Sequence, residues 1–464
     1  DRVAFRYWLR ARFEANSPWD RIVRDLVDAT GQNSVGGARI NLPKALAMEV
    51  PLGTSVPHKG DANAADLDAV NGAVNWSLRF EQAPLDLAGS ASRVFLGVQI
   101  QCAQCHDHKT EKWKQDDFRR FASAFLHSRI EQLDVGPAMG MTKRVDLIDL
   151  DRVAPRFAKN ADVAPVAKSK ATALDGTDLE KGGQTRKVLA DWMTSKQNPW
   201  FARAIVNRMW GHFLGRGFSN PVDDMRATNP ETMPQLLDLL AQDFVANDYD
   251  LKHLIRVITQ TEVYNLSSSA TAKPDEENKL WARFHLVPLG PEELMNSLLR
   301  ATNVENAAEK AGIKNLDQLR VQLVRQYGFL FDVDEEMDVP DFSGTVTQAL
   351  ALLNGQLTGQ GSRAIPGSAL DDVLAKQGDD TSKIEELYVR VLGRKPTGDE
   401  SARWTNYVQI AAKTPRATVP PPKKGGAGQG PLGRLGQRPT DPRRAAYEDV
   451  LWAMLNSSEF TFNH

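Results

Sequence analysis

A chain of 464 residues is longer than one compact core usually holds, and ordinary domain sizes imply roughly two to four folding units. With 41% hydrophobic and 25% charged residues it has the composition of a soluble globular protein, and a formal net charge of −2 speaks against a nucleic-acid-binding surface. No run of about 18 apolar residues occurs, so nothing reads as a transmembrane segment.

The chain opens at Asp1 with no initiator Met and no signal-like leader, which reads as a fragment or a processed chain. Residues 1–30 predict two amphipathic helices broken at Asn16-Ser17-Pro18. Residues 31–85, rich in Gly, Asn, Ala and Pro, predict a loop-dominated stretch. Residues 87–100 are ambiguous between strand and helix, and a helix running directly into the cysteines is preferred. Asp116-Asp117 followed by Phe118, Phe121, Ala122 and Phe125 predicts a short helix over 116–127 with an acidic first turn. Residues 130–183 read as a connection that includes a short hairpin. Thr232-Met233-Pro234-Gln235 has the pattern of a capping box, with Leu237, Leu240, Ala241 and Phe244 on one face behind it. Residues 384–408 and 444–455 read as helices. The Pro/Gly/Lys/Arg-rich stretch near 414–443 between them reads as a disordered basic loop, in the main a solvated insertion rather than a docking surface. The fold class is mainly α: two helical domains, 1–129 and 184–464, joined by an irregular, loop-rich connection at 130–183.

The chain's only two cysteines fall together, in Cys102-Ala103-Gln104-Cys105-His106. A disulfide scaffold is thereby excluded. The spacing is that of c-type haem attachment: two thiols three positions apart reach the two vinyl groups of one porphyrin, and the next imidazole falls beneath the iron. Cys102, Cys105 and His106 are therefore the candidate cofactor-binding residues, with His106 as axial ligand to haem c. A zinc site drawing on Cys102, Cys105, His106 and His108 is the alternative, although neighbouring histidines make a strained tetrahedron. A simple reactive or disulfide-bonded pair is the third reading. For a sixth iron ligand the candidates are His127, Met139, Met141 and His58; methionine would raise the reduction potential, and an open five-coordinate iron is the other option.

The residues Arg93-Val94-Phe95-Leu96-Gly97-Val98-Gln99-Ile100-Gln101-Cys102-Ala103-Gln104-Cys105-His106-Asp107-His108-Lys109, with Trp113-Lys114-Gln115-Asp116-Asp117-Phe118, resemble the planctomycete cytochrome-c-type domain family. Those are large secreted or surface proteins of uncharacterised function. The second half resembles the companion domain of unknown function. Asn198-Pro199-Trp200-Phe201-Ala202-Arg203-Ala204-Ile205-Val206-Asn207-Arg208-Met209-Trp210 carries its opening signature, Gly215-Arg216-Gly217-Phe218 and Pro221-Val222-Asp223-Asp224 continue it, and Trp452-Ala453-Met454-Leu455-Asn456-Ser457-Ser458-Glu459-Phe460 closes it. The resemblance implies that residues 1–129 are the C-terminal portion of the first domain, and that relatives carry a further cytochrome module upstream. Thr110-Glu111 stands where relatives often have an apolar or aromatic residue, a departure that bears on local packing.

In the second domain Arg203, Asn207 and Arg208, with Asp223 and Asp224 downstream, are candidates for a polar site in which paired carboxylates bind a metal or do acid–base work. The competing and preferred reading is structural: the arginines anchor the loop ending at Asp223, and Asn207 caps a turn. Trp192, Trp200 and Trp210 read as core and interface rather than as a sugar platform. The function expected is electron transfer or a redox-linked role in the periplasm or at the cell surface, with a redox protein or cytochrome module as partner. The alternatives are a polysaccharide-binding or -processing surface protein with a structural haem, and a zinc-stabilised interaction protein. None of these residues names a reaction.

Overall fold

Asn16, at φ 49°, ends the first helix, α1 (Arg2–Glu14), and Pro18 directly precedes the second, α2 (Trp19–Val27), as the break signals require. The computed structural model describes residues 2–34, 68–81, 83–133, 144–268, 280–312, 355–414 and 441–463. The chain is mainly α-helical and its described residues form two compact units, divided between His285 and Leu286. The greater part of the basic stretch, 415–440, lies outside the described residues, as do Met139, Met141, His58 and most of the loop-dominated region from 35 to 67.

In the first unit α3 (Val74–Leu78) is followed by α4 (Pro84–Ala91), which starts on its proline and continues as a π turn over Ser92–Leu96. The expected helix does not run into the cysteines. It stops at Gly97, whose φ of 68° suits glycine and whose added Cβ would lie 2.8 Å from Met225 Sδ. Val98 and Ile100 are buried beyond it, and Gln101–Gln104 then forms a single 3₁₀ turn. α5 (Gln115–Ser123) follows, with Asp117 Oδ2 accepting the N–H of Lys114 at 2.9 Å, and it closes in a 3₁₀ turn, Ala124–Leu126.

The stretch read as a connection holds β2 (Ser128–Gln132) antiparallel to β3 (Val145–Asp149), and β1 (Gly31–Gln32) pairs with the other edge of β3. α6 (Pro155–Ala158) and α7 (Ala164–Ala167) come next. Phe157, Val163, Val166, Ala171 and Leu179 all enter the unit's core. α8 (Thr185–Met193), α9 (Phe201–Leu214), α10 (Pro234–Ala246) and α11 (Leu251–Thr259) complete the unit. Asn198 Oδ1 accepts the N–H groups of Trp200 and Phe201 at the start of α9, and Gly215 ends that helix at φ 78°. The capping box expected at Thr232 is absent. The residue before α10 is Met233, left-handed at φ 53° and without a side-chain cap bond, so Thr232 sits one position too early.

The second unit packs α12 (Pro291–Thr302), α13 (Val304–Lys310), α14 (Gln356–Gly361), α15 (Ala369–Ala375), α16 (Asp380–Leu392), α17 (Gly398–Ala411), α18 (Pro442–Leu455) and α19 (Ser458–Thr461) around a separate core that includes Leu298, Ile384, Leu387, Tyr447 and Leu451. A short ladder pairs β4 (Val287–Pro288) with β5 (Phe462–Asn463). The helix read over 384–408 is two helices. Gly393 is left-handed at φ 71°, and Thr397 with Glu400 forms a true capping box that restarts the chain. Arg394 locks this corner by bonding both Glu400 and Glu459.

Candidate functional site

Cys102 and Cys105 both lie on the 3₁₀ turn or at its cap, exposed and not bonded to each other. In a 3₁₀ turn, positions i and i+3 eclipse, so the turn brings residues 102 and 105 to the same side of its axis. Ala103 between them is fully buried and roots the turn in the core through its N–H bond to Ile100 O at 2.9 Å. The far end of the turn is latched by Gln115, the first residue of α5. Its side-chain amide donates to Gln104 O (3.1 Å) and Cys105 O (2.9 Å), while its backbone N–H donates to Asp107 Oδ1 (2.9 Å). The two thiol-bearing side chains take no part in this bonding.

His106 follows, also exposed, with Nδ1 2.8 Å from Asp107 O. A carbonyl oxygen only accepts, so Nδ1 carries the proton and, in the neutral ring, Nε2 is left with its lone pair. This is the arrangement in which an outer hydrogen bond fixes the tautomer of a metal-ligating histidine. The donor set therefore fits a haem attached through Cys102 and Cys105 with His106 as ligand. His108 is differently employed: its backbone N–H donates to Trp113 O (2.8 Å), and its Nδ1 accepts from the N–H groups of Thr110 (3.3 Å) and Glu111 (3.1 Å). Among the described residues, no group of three or more His, Cys, Asp or Glu is arranged to hold a metal ion.

His127 is not brought to this turn. It lies beyond the opposite end of α5 from Gln115, roughly 15–20 Å away along the helical path at the rises of α and 3₁₀ turns. Its ring is buried, with Nδ1 3.1 Å from Thr185 Oγ1 and Nε2 enclosed without a partner. Burial holds its pKa below the ordinary histidine value, against the pull of Glu180 and Asp149.

The five polar residues of the second region do not gather into one cluster, although Arg208 and Asp223 lie close enough to interact. Asn207 is fully buried and clamps a loop: its amide donates to Ser219 O (3.0 Å) and Val222 O (2.9 Å), and its Oδ1 accepts the N–H of Ser219 (3.0 Å). Arg203 turns instead to Glu231 and Asp238. Asp223 faces Arg93 at 3.6 Å, and Asp224 faces Arg226 at 3.0 Å. Arg208 is largely enclosed, and burial lowers its pKa while Asp223 opposes the shift and Arg93 adds to it. Asn207 thus acts as the structural reading expects, and Arg208 interacts with Asp223 as it expects; Arg203 does not, and Arg93, a residue that reasoning within the second domain alone does not reach, supplies the ion pair.

That clamped loop lies against both flanks of the cysteine turn. Met225 N–H donates to Gly97 O at 2.9 Å, and Thr228 Oγ1 donates to Glu111 Oε1 at 3.1 Å. Three indoles add to the junction, with ring centroids 6.4 Å apart for Trp113–Trp200 and 6.3 Å for Trp200–Trp192. Gln115, Asp107 and Arg93 are the supporting residues that motif reasoning misses; only the proximity of Gln115 and Asp107 to the cysteines could have suggested them. Among the described residues no helix is long and apolar enough to cross a membrane.

No curated protein and no solved structure matches the chain. Residues 1–129 match the family model PSCyt2, described as a protein of unknown function (DUF1549), and residues 185–408 match PSD1, likewise a protein of unknown function (DUF1553), so that the chain carries these two uncharacterised domains in that order.

Proposed function

We propose that the chain carries one haem c, joined by thioethers to Cys102 and Cys105 with His106 as its axial ligand, and serves electron transfer or a related redox role. The observation that supports this most is the state of the three side chains: two free, exposed thiols at eclipsing positions, and an imidazole whose Nδ1–H is already given to Asp107 O. Haem bound there would supply one-electron chemistry. The residues of this chain would hold it. Gln115 keeps the carbonyls of the turn fixed, and buried Ala103 keeps the turn seated. Covalent haem attachment takes place outside the cytoplasm, which makes the periplasm or cell surface the proposed location. The proposed partner is a redox protein or a further cytochrome module.

The test is a pyridine haemochrome spectrum with an intact-mass measurement, on the full chain produced with a haem-attachment apparatus. One haem per chain is expected, surviving acid extraction. Protein exported alongside that apparatus with unmodified mass and no haemochrome bands would overturn the proposal.

A further inference from the structure

Arg208 is left without an acceptor. Its Nε is enclosed and unbonded, and among the described residues its guanidinium makes no hydrogen bond and no ion-pair contact. A guanidinium carries five N–H donors and a charge that is costly to enclose unpaired. Two neighbouring arginines are provided for, Arg203 by Glu231 and Asp238 and Arg226 by Asp224. Asp223 acts on the charge of Arg208 from a distance, and it faces Arg93 at 3.6 Å, longer than a hydrogen bond. The residue before it keeps it there. Val222 O accepts from Asn207 Nδ2 at 2.9 Å, and Val222 Cγ1 occupies the space that a Cβ on Gly211 (2.8 Å) or Gly217 (2.9 Å) would need. The spacing is built into the loop. An enclosed donor with no acceptor in such a rigid setting marks a place for a bound ion.

We propose that Arg208, flanked by Arg93, is a binding site for a carboxylate group, held by charge-assisted N–H···O bonds from the Arg208 guanidinium. The planar fork of the guanidinium matches the two oxygens of a carboxylate, and one negative charge balances one positive. A phosphate would bring about −1.5 to −2 charge against the nearby carboxylate of Asp223, which disfavours it. Two sources offer the same chemistry. One is a free organic carboxylate from solution. The other is a propionate of a haem attached at the cysteine turn, and for that source the inference rests on the haem reading. The site adjoins the segment leading into the turn: Arg93 stands on the π turn that ends at Gly97, and Gly97 O accepts the N–H of Met225, two residues beyond Asp223.

The first measurement needs no haem. The full chain is unfolded by heat at pH 7 while sodium chloride is exchanged for sodium acetate at constant ionic strength. The melting temperature should rise by about 3 °C on reaching about 100 mM acetate. Arg208→Gln should lose that rise, and Asp223→Asn, which removes the competing carboxylate, should enlarge it by about twofold. Circular dichroism establishes that each variant is folded. Should Arg208→Gln not fold, Arg208→Lys takes its place; it keeps the charge without the fork and should lose at least about half of the rise. A parent chain indifferent to acetate overturns the site, and so does an equal rise in a folded Arg208 variant. In the haem-bearing chain, loss of the acetate effect, together with an Arg208-dependent change in how the reduction potential varies with pH, assigns the site to a propionate. Persistence of the acetate effect assigns it to a free carboxylate. A chain that gains no haem yet shows the Arg208-dependent rise loses the proposed function and keeps the site; one that takes up haem but shows no such rise in its haem-free form loses the site alone.

Discussion

At the Cys102–His106 turn the reactive atoms face outward and the backbone is held by others, whereas around Asn207 the polar side chains themselves do the holding. Both stretches attract notice in the sequence through the same feature, a dense set of chemically capable residues. The difference lies in what each side chain has already been given to do. The carboxamide of Asn207 is engaged at both ends by Ser219 and Val222, and the carboxylates of Asp223 and Asp224 face separate arginines. Both thiols and the Nε2 of His106 are left open. A set of residues becomes a site where the surroundings, and not the functional groups, satisfy the backbone.

The largest effect that tests this contrast is at Asn207. Asn207→Ala leaves a buried N–H and two buried carbonyls of the loop unpaired, which costs about 3 kcal/mol. For a unit of this size the melting temperature should fall by roughly 6–10 °C. Urea denaturation gives the free energy directly. The same variant, once folded at low temperature, should retain both free thiols in a quantitative thiol assay. A loss below about 1 kcal/mol would mean that the clamp is not structural.

A second effect, at buried His127, is read through pH. Burial depresses the pKa of His127 in the folded chain below its ordinary value of 6.5. Between 6.5 and that lower value the unfolded chain binds a proton that the folded chain refuses, so unfolding takes up a proton and stability falls as pH drops through this window. Above it the contribution is constant. Urea midpoints measured from pH 7.5 downward should decline for the parent chain, and the decline should flatten in His127→Asn. An equal slope in that variant would assign the acid sensitivity to other groups.

A smaller effect belongs to Gln115. Its amide holds Gln104 O and Cys105 O at the partly exposed start of α5, so Gln115→Ala should cost about 1 kcal/mol in urea denaturation. It should also speed amide exchange at the neighbouring turn without altering exchange in α10. An effect as large as that at Asn207 would blur the distinction between the two regions.

Much of this architecture is legible in the chain, because its signals are local. The break at Asn16–Pro18 and the proline at the start of α10 each act on their own residue's dihedrals. What misleads is where a distant partner decides. Gly97 is left-handed and faces Met225, 128 positions further on, so the helix expected to reach the cysteines ends early. Gly393 splits α16 from α17, although the apolar spacing continues through both. The motif itself needs only five consecutive residues and is legible without any distant partner. Arg93 as the partner of Asp223, and Trp200 as the neighbour of Trp113, join segments more than 80 residues apart, and no periodicity encodes them.

The smallest predicted effect is also the sharpest side of the comparison. Cys102 and Cys105 are exposed and form no disulfide, so Cys102→Ser and Cys105→Ser remove no buried apolar surface of consequence and no cross-link. Each should change stability by no more than about 0.5 kcal/mol in the chain without haem. The same substitutions should each remove one thioether, and the double variant should abolish covalent haem retention on denaturing gels stained for haem peroxidase activity. Large structural cost with no chemical consequence is expected at Asn207, and the reverse at the cysteines. Should either cysteine variant lose about 2 kcal/mol or more before any haem is added, the thiols would be part of the turn's framework, and the division between holding and reacting groups would fail where it is drawn most clearly.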